Sequence, residues 1–323
     1  MSDRPTKGRM RYLTFGVRLL FTAGLLGIAL QTVDLELIRS GLEADLGFAL
    51  MLSFSLLLFA LALSAIRWVL VCNLTGIKLS TLMSGAIVLI GHFFNQLLPT
   101  SFGGDAMRGW CLWRQGTTLK KAFASVLLDR LFGLAALLML VVGGLPLLAI
   151  RLGTNLPFYA AGGILAAAAL GLFLLLNLHG APATLRRRRF WPLFERLSVH
   201  ARNILSAPTE IAIIMILSLV AHASALYTTA LISNALGAPL TLTDALLIVP
   251  SVLVLTALPI SIGGWGVREA GLAGGFALIG LDPGVAVTTS ILFGAVNILG
   301  GVIGGLVFLA MGSPKPVTSE DAS

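Results

Sequence analysis

One motif is written twice in this chain. Leu98-Pro99-Thr100-Ser101-Phe102-Gly103-Gly104-Asp105-Ala106-Met107-Arg108 returns as Leu258-Pro259-Ile260-Ser261-Ile262-Gly263-Gly264-Trp265-Gly266-Val267-Arg268. Leu, Pro, Ser, both glycines and the arginine recur in the same register, and each copy closes an apolar stretch. Proline removes a backbone donor and clashes with the preceding turn, while glycine reaches backbone conformations closed to residues with a Cβ. Each copy is therefore predicted to break a helix where the apolar run would otherwise continue it. In a membrane chain, Gly/Pro-broken segments at matching places in two halves point to where a binding site is built.

The composition puts the chain in a membrane. Apolar residues make up 57% and charged residues 11% of the 323 residues, and the mean hydropathy is +0.96, whereas soluble domains carry about 25% charged residues. An all-α polytopic fold in one integral membrane domain, residues 1–323, is expected, since the longest polar stretch runs only from about 180 to 209. The net charge of +8 is clustered: Arg4, Lys7, Arg9 and Arg11 precede the first apolar run, and Arg186 to Arg189, Arg196 and Arg202 fill a central loop. Basic loops beside spans mark the cytoplasmic side, so the charge is read as topology and no nucleic-acid partner is assigned. Cys72 and Cys111 are too few to argue redox compartment or metal binding.

A spanning helix needs about 20 mostly apolar residues. Candidate spans are 12–32, 48–71, 122–150, 157–178, 210–235 and 284–311. The first is long and lacks a small-x-small cleavage site, so it is read as an uncleaved span rather than a signal peptide. Two further stretches, 79–118 and 241–282, each hold one apolar helix, the broken motif and a more polar return.

The basic N-terminus is placed inside, and the acidic connection with Asp34, Glu36, Glu43 and Asp45 outside. Lys78, Lys120 and Lys121 then fall inside, so 79–118 begins and ends on one side; 241–282 does the same on the other side. A re-entrant hairpin fits each stretch, because non-helical backbone at depth survives only when buried in protein or lining a cavity; two tilted spans remain the alternative. The plan is an inverted-topology repeat: repeat 1 about 12–151, repeat 2 about 157–179 plus 210–311, with the 180–209 loop between them and a polar tail over 312–323. Both termini are expected in the cytoplasm and the protein in the cell inner membrane.

Arg108 and Arg268 lead the candidate site residues. A charge at the bilayer centre costs about 2.5–3.5 kcal/mol even on the lenient insertion scale, so it normally faces a cavity or a partner. Behind each Gly-Gly break the next helix offers N–H groups and a positive dipole end suited to a phosphate. Substrate-binding roles are therefore expected for Arg108, Arg268, Gly103, Gly104, Gly263, Gly264, Ser101 and Ser261, with the breaks meeting near the midplane from opposite sides. The competing reading has each arginine pair with its local acid, Asp105 or Glu269. Those two acids are candidates for proton coupling or ion pairing, and Asp129-Arg130 reads as an intramembrane ion pair.

His92 and Gln96 share a helix face with Asn95 nearby, and His92 and His222 are each read as making an interhelical hydrogen bond. No His, Cys or acid spacing resembles a metal site, and no cofactor is implied. Gly300-Gly301-Val302-Ile303-Gly304-Gly305 reads as close helix packing rather than a nucleotide loop. Over 186–205, Phe190, Phe194, Leu197, Ala201 and Ile204 share a face among arginines. That reads as an interfacial helix on anionic inner-leaflet lipids, or as a plain basic connector.

Taken together, Leu98-Pro99 with Gly103-Gly104-Asp105 and Arg108, then Asp129-Arg130, then Leu258-Pro259 through Gly263-Gly264, Gly266-Val267-Arg268-Glu269 resemble the lysylphosphatidylglycerol synthase transmembrane-region family. That family includes the flippase half of the multiple peptide resistance factor. The resemblance spans most of the chain and implies translocation of an anionic lipid or a polyprenyl-phosphate-linked lipid. The expectation is a flippase-like lipid transporter whose partners are membrane lipids, with no catalytic residues. A membrane-embedded lipid-modifying enzyme and an accessory subunit of a lipid-synthesis complex are the alternatives, and the oligomeric state is left open. No aminoacyl-transfer domain follows residue 311 in this sequence, so lysyl transfer is not expected of it.

Overall fold

A computed structural model describes residues 45–98, 102–177, 207–258, 261 and 263–311, together with Gly27, Glu36, Ile38, Arg39, Ser198 and Val199. The expected span 12–32 apart from Gly27, the tail 312–323, the motif residues Pro99, Thr100, Ser101, Pro259, Ile260 and Ile262, and nearly all of the 180–209 loop with its 186–205 segment lie outside them.

The described residues are helical, with no strand among them. In chain order they form α1 (Leu46–Leu74), α2 (Thr81–Leu97), α3 (Gly103–Arg114), α4 (Leu119–Leu152), α5 (Leu156–Leu176), α6 (Pro208–Ala235), α7 (Leu242–Ala257), α8 (Val267–Leu278) and α9 (Pro283–Met311). α1, α4, α5, α6 and α9 are long and apolar enough to cross a membrane, and they match five of the six spans expected from hydropathy. The remaining four are short. α2 and α3 have 17 and 12 residues, and α7 and α8 have 16 and 12. At about 1.5 Å per residue, none of the four covers a hydrocarbon core of about 30 Å. The order long, short, short, long thus occurs twice, as α1–α4 and α6–α9.

The chain divides into two compact units. The first comprises Met1–Leu57, His92–Gly104 and Ala225–Val302; the second comprises Leu58–Gly91, Asp105–Ser224 and Ile303–Ser323. In the first unit α7 packs on α8, and small residues set how closely. A Cβ on Gly271 would stand 3.0 Å from Val252 Cγ2, one on Gly275 3.0 Å from Ile248 Cγ1, and one on Gly264 3.0 Å from Thr256 Cβ. Ile248, Val252 and Thr256 follow at i, i+4 spacing, so one ridge of α7 descends a glycine-lined groove. Close backbone approach of this kind replaces the hydrophobic drive that lipid cannot supply between helices. The same unit seats α9 by the glycines read as packing residues. A Cβ on Gly300 would meet Leu57 Cδ2 at 2.6 Å and one on Gly301 would meet Gln96 Cγ at 3.3 Å.

The two motif copies do not break in the same way. In the second, Gly263, Gly264 and Gly266 all have positive φ, 59°, 79° and 82°, and helix resumes at Val267. In the first, the expectation that Gly103-Gly104 form the break is corrected. Both glycines lie in the first turn of α3, and helix is interrupted before them, after Leu97. Their smallness serves contact instead, since a Cβ on Gly103 would sit 2.7 Å from Leu98 Cβ and 3.2 Å from the Phe94 carbonyl. In the second unit α4 packs on α5, and α4 ends on Gly153 in the left-handed conformation, φ 62°.

If the glycine groove sets the α7–α8 approach, Gly275→Leu should lower the thermal unfolding midpoint of the detergent-purified protein, equivalent to about 1–3 kcal/mol of overpacking. Adding Ile248→Ala should recover part of the loss, and no recovery would remove Ile248 as the opposing surface.

Candidate functional site

Two clusters of buried charge follow from the fold, one in each unit. In the second unit the centre is Asp129 on α4, whose side chain is wholly buried. Arg67 on α1 grips it with one edge of its guanidinium, Nε donating to Oδ1 at 2.7 Å and Nη2 to Oδ2 at 3.2 Å. Arg67 Nη1 donates to Ser218 Oγ on α6 at 3.2 Å, and Gly133 leaves room for the guanidinium, since a Cβ there would be 3.4 Å from Nη1. Arg108 on α3 reaches the same carboxylate through Nη2 alone, 2.7 Å from Oδ2. Its Nη1 lies 3.7 Å from Asp105 Oδ1, and its Cζ stands 4.3 Å from the centroid of the Trp68 ring. Asp105 pairs more closely with Arg130, at 2.5 Å.

The expected Asp129-Arg130 ion pair is therefore corrected: both residues are paired, but with different partners. Neighbouring helix positions point about 100° apart, so they do not face one another. The local pairing considered for Arg108 is present as the longer of two contacts, with Asp105 at 3.7 Å and Asp129 at 2.7 Å. His222 on α6 meets the Gly133 carbonyl at 3.0 Å, the interhelical hydrogen bond expected of it.

In the first unit Arg268 and Glu269 open α8. Arg268 Nη2 donates to Glu269 Oε1 at 2.9 Å and Nε to Ser290 Oγ at 2.8 Å, while Ser290 donates to the same Oε1 at 2.7 Å. The other carboxylate oxygen accepts the Gly266 N–H. Arg268 Cζ lies 4.7 Å from the Trp265 ring centroid and 5.4 Å from that of Phe293. Here the local pairing of arginine with its neighbouring acid does occur. The nearness of Trp265 and Arg268 to α9 is made possible by Gly294, where a Cβ would come within 2.6 Å of Arg268 Nη2. His92 meets the Asn297 carbonyl at 3.0 Å, again as expected.

The helix N-termini were expected to offer their N–H groups to a ligand. One donor at each is already taken: Gly104 N–H by Asn95 Oδ1 at 2.8 Å, and Gly266 N–H by Glu269. Ser261 is buried, and its hydroxyl has no hydrogen-bond partner among the described residues; Ser101 lies outside them.

The two clusters share one chemical plan. Each has a buried arginine over a tryptophan ring and tied to a buried carboxylate, directly behind a copy of the motif; a serine hydroxyl braces Arg268 itself in the first unit and Arg67 in the second. The sequence reading missed Arg67, Trp68, Ser218 and Ser290. A signal for Arg67 was present, because it is the one charged residue in the apolar run Leu46–Leu74, and such a residue asks for a partner.

Asp129→Ala should strip both buried guanidinium groups of their shared counter-charge, at a cost of about 3–5 kcal/mol. Thermal unfolding in detergent should show a large drop, with Asp129→Asn losing nearly as much because the charge, not the shape, is what balances two cations. An unchanged midpoint in both variants would mean the cluster contributes nothing to the fold.

The sequence profile described as the lysylphosphatidylglycerol synthase TM region matches residues 16–305, a stretch that contains both motif copies and both charge clusters. No curated protein gives a significant match. The match covers most of the chain, and with it the helices, the doubled motif and the paired arginines described above, so the chain belongs to the lysylphosphatidylglycerol synthase TM-region family.

Proposed function

We propose that this multi-pass membrane protein is a flippase-type transporter of the cell inner membrane, carrying an anionic lipid or polyprenyl-phosphate-linked lipid whose phosphate is recognised by Arg108 and Arg268. Membership of the family makes it a membrane protein involved in lipid handling. The observation that carries the finer reading is the doubled cluster: each motif copy delivers a desolvated arginine, stacked on Trp68 or Trp265 and held by a carboxylate. Burying one such charge is costly, and building the same plan twice is the economy of a repeat transporter. A guanidinium is suited to phosphate because it offers paired N–H donors in a fixed fork.

Short helices α2–α3 and α7–α8 support the re-entrant hairpin reading, and the two orders of long and short helices support inverted repeats. The termini and the 180–209 loop lie on the cytoplasmic side, where the arginines meet anionic inner-leaflet lipids.

Liposomes containing the purified protein and a fluorescent anionic lipid test the reading directly. Arg108→Ala leaves Asp129 in the grip of Arg67, and Arg268→Ala leaves Glu269 with Ser290 and Gly266. Both variants should stay monodisperse while lipid transfer falls at least about tenfold, the value of one charge-assisted contact. Lysine at either place should be intermediate, keeping charge without the fork. Transfer at wild-type rate in both alanine variants would sink the phosphate role of these arginines. For topology, a cysteine at position 188 should react with an impermeant maleimide only after the cells are opened.

A further inference from the structure

The two arginines on Asp129 are not equivalent. Arg67 has every nitrogen engaged: Nε and Nη2 on the two Asp129 oxygens and Nη1 on Ser218. Arg108 has the same edge half used, because Nη2 bonds Asp129 while Nε, though buried, has no hydrogen-bond partner among the described residues. Arg108 is 9% exposed and Trp68 not at all. The indole N–H of Trp68 is likewise buried without a partner among the described residues. It belongs to the very ring on which Arg108 lies, 4.3 Å from the guanidinium carbon. A buried N–H left unpaired costs about 1–3 kcal/mol, and here two such donors belong to one stack.

The charges point the same way. Asp129 is shared between Arg67 and Arg108, and Asp105, 3.7 Å from Arg108 Nη1, is drawn closer to Arg130 at 2.5 Å. A further oxyanion at the Arg108 edge would meet Nε and Nη2 together and leave Asp129 wholly to Arg67.

The geometry points to an oxyanion seat in the second unit formed by Arg108 Nε and Nη2 with the Trp68 indole N–H, in which Arg67 is a positioning residue that retains Asp129 when the anion arrives. This deepens the phosphate role proposed for Arg108 by adding Trp68 as a ligand donor and Arg67 as the device that keeps the carboxylate from closing the fork. The shared ligand chemistry is a phosphate oxyanion, either on a lipid headgroup or as free phosphate. Removing Arg67 has a consequence that a purely structural role does not predict. Asp129 would be free to bind both Nε and Nη2 of Arg108, and would then compete with the anion.

The test uses the full chain in detergent micelles, titrated with dioctanoyl phosphatidylglycerol, with uncharged dioctanoylglycerol and with inorganic phosphate, and reads affinity from the shift in unfolding temperature. The phosphatidylglycerol should stabilise the protein and dioctanoylglycerol should not; stabilisation by inorganic phosphate alone would assign the seat to the free ion. Trp68→Phe keeps an aromatic ring under the guanidinium and loses the N–H, so the ligand-induced shift, measured from the variant's own unliganded midpoint, should report an affinity about tenfold lower. Arg67→Gln should weaken binding, and Arg67→Gln/Asp129→Asn should restore it by removing the competitor. Unchanged affinity in Trp68→Phe, or no restoration in the double variant, overturns the seat. The lipid-transport reading fails separately, if oxyanions bind as described but liposomes show no transfer.

Discussion

A carboxylate with no access to solvent, Asp129, holds guanidinium groups from two other helices, and the second unit is organised around that demand. Its two oxygens tie α4 to Arg67 of α1 and Arg108 of α3, and Arg67 in turn engages Ser218 of α6. In a low-dielectric interior an unpaired ion is costly, so an arrangement of these helices that separated Asp129 from its partners would be strongly disfavoured. Glu269 does the corresponding task over a shorter range. It neutralises its neighbour Arg268, accepts the Gly266 N–H at the start of α8, and takes a hydrogen bond from Ser290 of α9.

Lipid sets the second condition. Hydrocarbon offers no hydrogen bonds, so backbone groups must be satisfied within helices wherever the chain meets it. α5 shows the result: Leu165, Leu170 and Phe173 are exposed, and the helix is long and apolar enough to cross a membrane. Where the chain departs from helix, side chains supply the missing partners. Asn95 takes the Gly104 N–H and Glu269 the Gly266 N–H. Both are polar groups spent on backbone at the two places where the motif interrupts a helix.

Identical letters were put to different uses in the two copies. The glycine pair of the second copy supplies positive φ before α8, while that of the first lies within α3 and makes room for Leu98 and Phe94. The consequence reaches the arginines. Arg108 falls at the sixth residue of α3 and Arg268 at the second of α8, so the first reaches across to α4 for its acid and the second finds one beside it. Gly266, which has no counterpart in the first copy, where Ala106 stands, accounts for part of this difference by extending the left-handed stretch to the edge of α8.

Much of the architecture was legible because hydrophobic length is a local property. Five spans, the two short helix pairs and the doubled motif can each be read along the chain, since a helix long enough to cross hydrocarbon must be written as a continuous apolar run. The half-buried histidines and the packing role of Gly300 and Gly301 were legible for the same reason, as few alternatives exist for such residues in lipid. Partner choice was not legible. Whether Asp129 answers Arg130, one residue away, or Arg67, on another helix, depends on which helix faces meet, and sequence distance carries no information on that. Nor could the pattern Gly-Gly reveal its two conformations, because glycine permits both positive φ and close approach, and the neighbours Leu98, Phe94 and Thr256 decide which is used. The residue types and their places came from the sequence; the pairing of charge, which governs what the site can hold, came from tertiary packing.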